Sequence, residues 1–171
     1  MKVYSGQSSS EPESTPERVK VGIAEYEVTT DGAVLTTSGL GSCIGVAIHD
    51  PSVPVAGLLH VMLPTADDMD GNPAKFADTG VETLIEALES EGGDPQNMEA
   101  KIAGGSDMLD FSESGSGIGQ RNAEQVRQTL DEYGVSLVGE DVGGDHGRSL
   151  RLEGASGDLV VKSANKESST L

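Results

Sequence analysis

A single cysteine, Cys43, stands alone in this chain, so no internal disulfide can form. No stretch approaches the roughly 20 apolar residues of a membrane span. Residues 1–18 lack the apolar run of a secretory signal, so a soluble, cytoplasmic protein is expected. Aromatic residues are sparse, with three tyrosines, two phenylalanines and no tryptophan. Cations are scarcer still in relative terms: 11 Lys and Arg stand against 29 Asp and Glu, a formal charge of −18. Such a surface repels nucleic-acid phosphates and anionic lipid, which excludes nucleic-acid binding and direct membrane insertion. So many carboxylates fit a protein kept soluble in concentrated salt, where charge is screened within about 3 Å at 1 M. The chain therefore reads as halophilic, the alternative being an acidic mesophilic protein with a penalty on its compact state at low salt.

What is present organises as one domain. Residues 1–18 are rich in Ser, Glu and Pro and cannot bury enough apolar surface to offset ordering entropy, so a disordered acidic tail is expected. The domain is expected over residues 19–162, followed by a polar tail over 163–171. Within it, 21–28 and 33–37 read as strands separated by Thr30-Asp31-Gly32. The apolar runs 44–48 and 58–63 read as a hairpin joined by the turn-rich 49–54. Phe76, Val81, Leu84, Ile85 and Leu88 recur at helical spacing, and Gly92-Gly93 ends that helix. Lys101-Ile102-Ala103 reads as a short strand before a Gly/Ser-rich loop over 104–117. A second helix carries Ala123, Val126, Leu130 and Tyr133, with Asn122 as its N-cap and Gly134 as its stop. Strands are expected at 135–138, 149–152 and 159–162. The pattern predicts a mixed α/β domain with no repeats.

The chemistry concentrates at Cys43. It follows Gly39-Leu40-Gly41-Ser42 and enters an apolar run, a setting where backbone N–H groups can converge on a reacting carbonyl. A hairpin centred between Pro51 and Ser52 would pair Cys43 directly with His60, within reach of a thiol–imidazole hydrogen bond. The expected resting state is then a thiolate–imidazolium ion pair, with the thiol pKa lowered from about 8.5. Gly41 and Ser42 are the expected oxyanion-side residues, and a hydroxyl such as Thr37 is placed to fix the ring's orientation. A lone Cys and His are more often a small buried hydrophobe and a satisfied core histidine. Here Gly39, Gly41 and Ser42 suit an accessible turn better than a packed core. Other segments are weaker: Gly115-Ser116-Gly117-Ile118-Gly119 lacks the strand and lysine of a phosphate loop. Asp141 to Arg148 and Asp67 to Asn72 lack metal-ligand spacing, so no metal and no cofactor are assigned.

Several segments in order resemble a known family, the CheD chemoreceptor glutamine deamidases of chemotaxis. They run from Val21-Gly22-Ile23-Ala24-Glu25-Tyr26 through Leu40-Gly41-Ser42-Cys43, Asp50-Pro51 and His60-Val61-Met62-Leu63-Pro64 to Lys75-Phe76-Ala77-Asp78. They continue with Lys101-Ile102-Ala103-Gly104-Gly105, Ile118-Gly119-Gln120-Arg121-Asn122, Asp141-Val142-Gly143-Gly144 and Gly147-Arg148. The resemblance implies a nucleophile at Cys43, a base at His60 and a third triad member at Thr37. It also implies an α/β fold, a layered sandwich of mixed β-sheet with packed helices similar to the catalytic domain of the cytotoxic necrotising factor toxins, and protein-glutamine glutaminase activity, a side-chain amide hydrolysis. Methyl-accepting chemotaxis receptors are the implied substrate, and a CheC-type phosphatase is the implied competing partner. Leu40 and Ile44, flanking the turn, are the expected apolar contacts for that partner. Ser106 and the long acidic tail depart from the family pattern. A second class stays open, a non-catalytic chemotaxis adaptor that docks receptors or the phosphatase.

Overall fold

The computed structural model describes residues 17–67, 71–107, 117–163 and 168–171. Alternation along two central strands sets the architecture. On β4 (Ile44–Asp50) and β5 (Val55–Val61), Ile44, Val46, Ile48, Val55, Leu59 and Val61 face one core, while Ala47, Ala56 and Leu58 face another. A strand buried on both faces reads as a continuous apolar run, as these do. The first core is closed by helices α1 (Ala77–Ser90) and α2 (Ile118–Glu132), through Val81, Leu84, Ile85 and Leu88 of α1 and Val126 and Leu130 of α2. The second is closed by another sheet through Leu35, Leu40, Leu150, Leu152, Leu159 and Val161.

The result is three layers: helices, a five-stranded sheet and a second five-stranded sheet. The central sheet has the order β2-β5-β4-β6-β7, with β2 (Tyr26–Thr29), β6 (Glu99–Gly104) and β7 (Ser136–Val142). It is mixed: β2, β5, β4 and β6 pair antiparallel, and β6 pairs with β7 in parallel through α2. The outer sheet runs β1-β3-β8-β9-β10, from β1 (Arg18–Lys20), β3 (Val34–Leu40), β8 (Arg148–Glu153), β9 (Leu159–Ser163) and β10 (Ser169–Thr170). The expected layered α/β sandwich is the observed one.

Several local expectations differ. The run 21–28 is not one strand: Val21 is buried, the chain turns through Gly22 to Glu25, and β2 starts at Tyr26. That turn includes Ala24 at φ 61°, held because its N–H donates to the His60 carbonyl and its carbonyl accepts from Asn72 Nδ2. Asn122 is not an N-cap, because α2 begins a turn earlier with Gly117 as its cap, leaving Asn122 fully buried. The last residues do not form a tail apart from the fold: Ser169 and Thr170 pair with β9, and Leu171 packs on the inter-sheet core. The expected N-terminal disorder over 1–16, the loop residues 108–116, the acidic residues 68–70 and the tail residues 164–167 lie outside the described residues.

Candidate active site

His60 lies on β5 with the parity of Ala56 and Leu58, so its ring enters the space between the two sheets. Thr37 has the parity of Leu35 on β3 and enters the same space from the opposite side. There the Thr37 Oγ1 and His60 Nδ1 atoms lie 2.8 Å apart. The same hydroxyl is 2.8 Å from the Val21 carbonyl oxygen. A carbonyl can only accept, so the single hydroxyl hydrogen goes to Val21 and the Thr37 lone pair accepts a hydrogen bond from His60 Nδ1–H. This fixes the tautomer: Nδ1 carries the hydrogen and Nε2 presents a bare lone pair. That Nε2 is buried and has no partner among the described residues.

Cys43 precedes β4 and packs half-buried against the inter-sheet core. The hairpin register differs from the expected one. Gly45, not Cys43, pairs with His60, because β4 runs on through His49 and Asp50 and the chain turns over residues 51–54. Buried Asp50 accepts hydrogen bonds from Ser52 N, Ser52 Oγ and Asp94 N, which draws a polar residue into the strand end. The shift is two residues, so the side chains keep their face. Cys43 is then a diagonal neighbour of His60, a relation that spans about 7–8 Å in an antiparallel pair. No hydrogen bond joins the thiol to Nε2 in this state, and such contacts commonly tighten only with substrate bound.

The electrostatics also correct the sequence reading. Burial pushes the Cys43 thiol up from its ordinary value. Burial also lowers His60 to about 4. Both shifts disfavour charge, so the resting pair is neutral thiol and neutral imidazole rather than an ion pair. Alkylation of Cys43 by iodoacetamide should therefore rise with pH through an inflection above the ordinary cysteine value of about 8.5. An inflection at or below neutrality would contradict this. Stability follows the same logic: with His60 depressed in the fold, its contribution is full above pH about 6.5 and is lost as pH falls towards about 4.

The turn before Cys43 is held from one side. The loop after β6 donates Gly105 N–H to the Cys43 carbonyl and Ser106 N–H to the Gly41 carbonyl, each at 2.8 Å. A Cβ on Gly104, which sits at φ 116°, would collide with the Cys43 carbonyl oxygen. A Cβ on Gly119 would collide with the Gly105 and Ser106 carbonyls, so glycine there lets α2 rest on the loop. Of the two expected oxyanion-side residues, Gly41 has its N–H engaged with the Gly39 carbonyl at 3.1 Å. The Ser42 and Cys43 N–H groups donate to no acceptor among the described residues. Leu40 and Ile44, expected to meet a partner, are both fully buried, one in each core. They anchor the two ends of the turn and present no surface.

Sequence reasoning missed Asn122. Its Nδ2 donates to the Ser42 carbonyl at 2.8 Å and to the Met62 carbonyl at 2.9 Å, while Oδ1 is buried with no partner among the described residues. An unsatisfied buried acceptor costs about 1–3 kcal/mol, so an amide at this place is not there for packing alone. Its spacing from Val126 and Leu130 puts it on the apolar stripe of α2, which was the available signal. The Asp141 to Arg148 segment also has a structural role. Arg148, with its side chain 1 % exposed, donates to the Gly104 and Gly143 carbonyls and to Asp141, tying β8 to the loop behind Cys43.

Fold and site together define a class: a layered α/β domain with a thiol, a δ-protonated imidazole and an orienting hydroxyl gathered at one end of its sheets, an arrangement suited to acyl transfer. The family model described as CheD chemotactic sensory transduction matches residues 62–163. The chain belongs to the CheD family. A relative from Haloarcula marismortui, named as a probable chemoreceptor glutamine deamidase, is 67% identical over 173 residues, covering 100% of both chains. A Natronomonas pharaonis relative of the same name is 45% identical, over 92% of this chain and 95% of its own. The Thermotoga maritima chemoreceptor glutamine deamidase CheD is 42% identical, over 83% of this chain and 89% of its own. A crystal structure of a Neisseria meningitidis DUF152 protein aligns with TM-score 0.53 at 13% identity, over 76% of this chain and 65% of that one, a likeness of fold alone.

Proposed function

We propose that this chain hydrolyses the side-chain amide of glutamine residues in the cytoplasmic methylation region of chemoreceptors, releasing ammonia and leaving glutamate. Cys43 is the nucleophile, His60 the acid–base group and Thr37 the hydroxyl that orients it. The observation that supports this reading best is the Thr37–His60 hydrogen bond, which leaves Nε2 bare on the face that Cys43 shares. Relatives named for this activity, one matched over its full length and one over 89% of it, support the substrate.

The steps follow from the tautomer. As the sulfur adds to the amide carbon, the thiol proton passes to Nε2 and the carbonyl electron pair moves onto oxygen. Collapse of the oxyanion breaks the C–N bond, and Nε2–H protonates the departing nitrogen. Water then attacks the thioester, gives its proton to Nε2 and releases glutamate, and the sulfur recovers its proton from the ring. Burial favours this route because it passes through the imidazolium only during reaction, when the oxyanion is present to balance it.

The site works in the cytoplasm, where the receptors' methylation region lies. No helix among the described residues is long and apolar enough to cross a membrane. A CheC-type phosphatase competes with receptors for the half-buried backbone of the Gly41 to Cys43 turn. Mass spectrometry of a receptor cytoplasmic domain co-expressed with this protein tests the reading. Conversion of particular glutamines to glutamate is expected, and it should slow when the phosphatase is added. Unmodified glutamines alongside tight receptor binding would instead favour the adaptor.

A further inference from the structure

Three successive carbonyls, of Gly41, Ser42 and Cys43, accept hydrogen bonds from the α2 side of the turn: from Ser106 N–H, Asn122 Nδ2 and Gly105 N–H. Every peptide bond here is trans. In a planar trans peptide the C=O and N–H point in opposite directions. Holding the Gly41 and Ser42 carbonyls towards α2 therefore turns the N–H groups of Ser42 and Cys43 away from it. Both are unpartnered among the described residues, and successive amides of this kind form a site for negative charge.

Of the three restraints on the turn, two are backbone amides and one is a side chain. We propose that Asn122 is a positioning residue for the oxyanion. Its Nδ2 holds the Ser42–Cys43 peptide so that the Cys43 N–H meets the charge that develops when the sulfur adds to an acyl carbon. Its second hydrogen bond, to the Met62 carbonyl, ties the strand end that follows His60 to the same frame. Both partners are acceptors, so the position calls for a neutral head with two donors. A carboxylate would repel both carbonyls, and an apolar side chain would leave them bare. A buried cation here would face two carbonyls without the counter-charge that Asp141 gives buried Arg148.

The inference rests on Cys43 being the nucleophile, and its test needs neither a receptor nor a glutamine. Two reagents probe the same thiol. With p-nitrophenyl acetate, the sulfur adds to the carbonyl carbon, the π pair moves to oxygen, and collapse expels p-nitrophenolate while the thiol proton goes to His60. With iodoacetamide, the S–C bond forms as the C–I bond breaks and no oxyanion arises. In full-length Asn122→Leu and Asn122→Asp, acylation should fall by about 10- to 10²-fold while alkylation changes by less than about twofold. A parallel fall in both rates would mean that Asn122 only keeps the thiol in place, and unchanged acylation would mean that it does nothing for the oxyanion. Either result overturns the proposal. Should the variants not fold, side-chain amide exchange in the wild-type protein decides: slowly exchanging Nδ2 protons support the fork, and exchange at the rate of a solvated amide overturns it. A wild type that acylates as expected yet leaves receptor glutamines intact would count against the proposed substrate and not against Asn122.

Discussion

Cys43→Ala is expected to abolish receptor deamidation while leaving the melting temperature almost unchanged. The substitution removes one half-buried sulfur at a turn, whose backbone is held by Ser106, Asn122 and Gly105 rather than by the side chain. His60→Gln should be nearly as severe, because His60 Nε2 is the base diagonal to Cys43, whereas His49, on the same face of β4, lies six residues along the chain from the thiol; general acid–base catalysis alone accounts for about 10²–10⁴-fold. The glutamine roughly preserves volume in a position that is fully buried, which keeps loss of folding apart from loss of chemistry. The double variant should be no worse than either single one, since members of such a unit act together. Thr37→Val tests the tautomer. It removes the acceptor for Nδ1–H and leaves the ring free to place its hydrogen on Nε2, so the rate should fall by at least about tenfold, with Thr37→Ser restoring it. Deamidation by purified Cys43→Ala at near the wild-type rate would overturn the assignment of the nucleophile.

The parts of the site that were legible in the sequence are those written in local pattern. The apolar runs of β4 and β5 with prolines between them announce a hairpin, and a cysteine entering such a run after two glycines announces an accessible turn. The register was not legible, because it depends on Asp50 being held in the strand end by Ser52, two residues on, and by Asp94, a contact made across the fold. The error of two residues left the functional faces intact, whereas an error of one would have separated Cys43 from His60. The charge state was misread for a related reason: proximity of thiol and imidazole favours an ion pair in water, but desolvation at the end of a two-sheet core acts on both groups the other way. Asn122 was misread because asparagine near a helix start reads as a cap, and only the tertiary structure shows α2 beginning at Ile118. The short edge strands β1 and β10, three and two residues long, carry no periodicity to read.

The melting temperature should rise steeply from dilute buffer to molar KCl. Among the described residues only four carboxylates lie within ion-pair distance of a basic side chain: Glu140, Asp145, Asp141 and Glu153. The chain has 29 acidic residues against 11 Lys and Arg, so most of its negative charge has no counter-charge within the chain. Helix α1 shows the problem in miniature, with Asp78, Glu82 and Glu86 following one another at four-residue spacing on its outer side. Like charges at that spacing have Cβ atoms about 5–6 Å apart and destabilise a helix by about 0.2–0.5 kcal/mol per pair. At 0.01 M salt the screening length is about 30 Å and every such pair across the domain contributes; at 1 M it is about 3 Å, shorter than the spacing itself. Each kcal/mol recovered is worth about 2–4 °C in a domain of this size. Glu86→Lys separates screening from a general salting-out of the apolar core. It converts the repulsion from Glu82 into an attractive pair in the favourable orientation, so it should raise the melting temperature in dilute buffer and change little in molar KCl. A melting temperature that is flat with KCl, or a Glu86→Lys gain of equal size at both salt concentrations, would show that charge repulsion does not limit this fold.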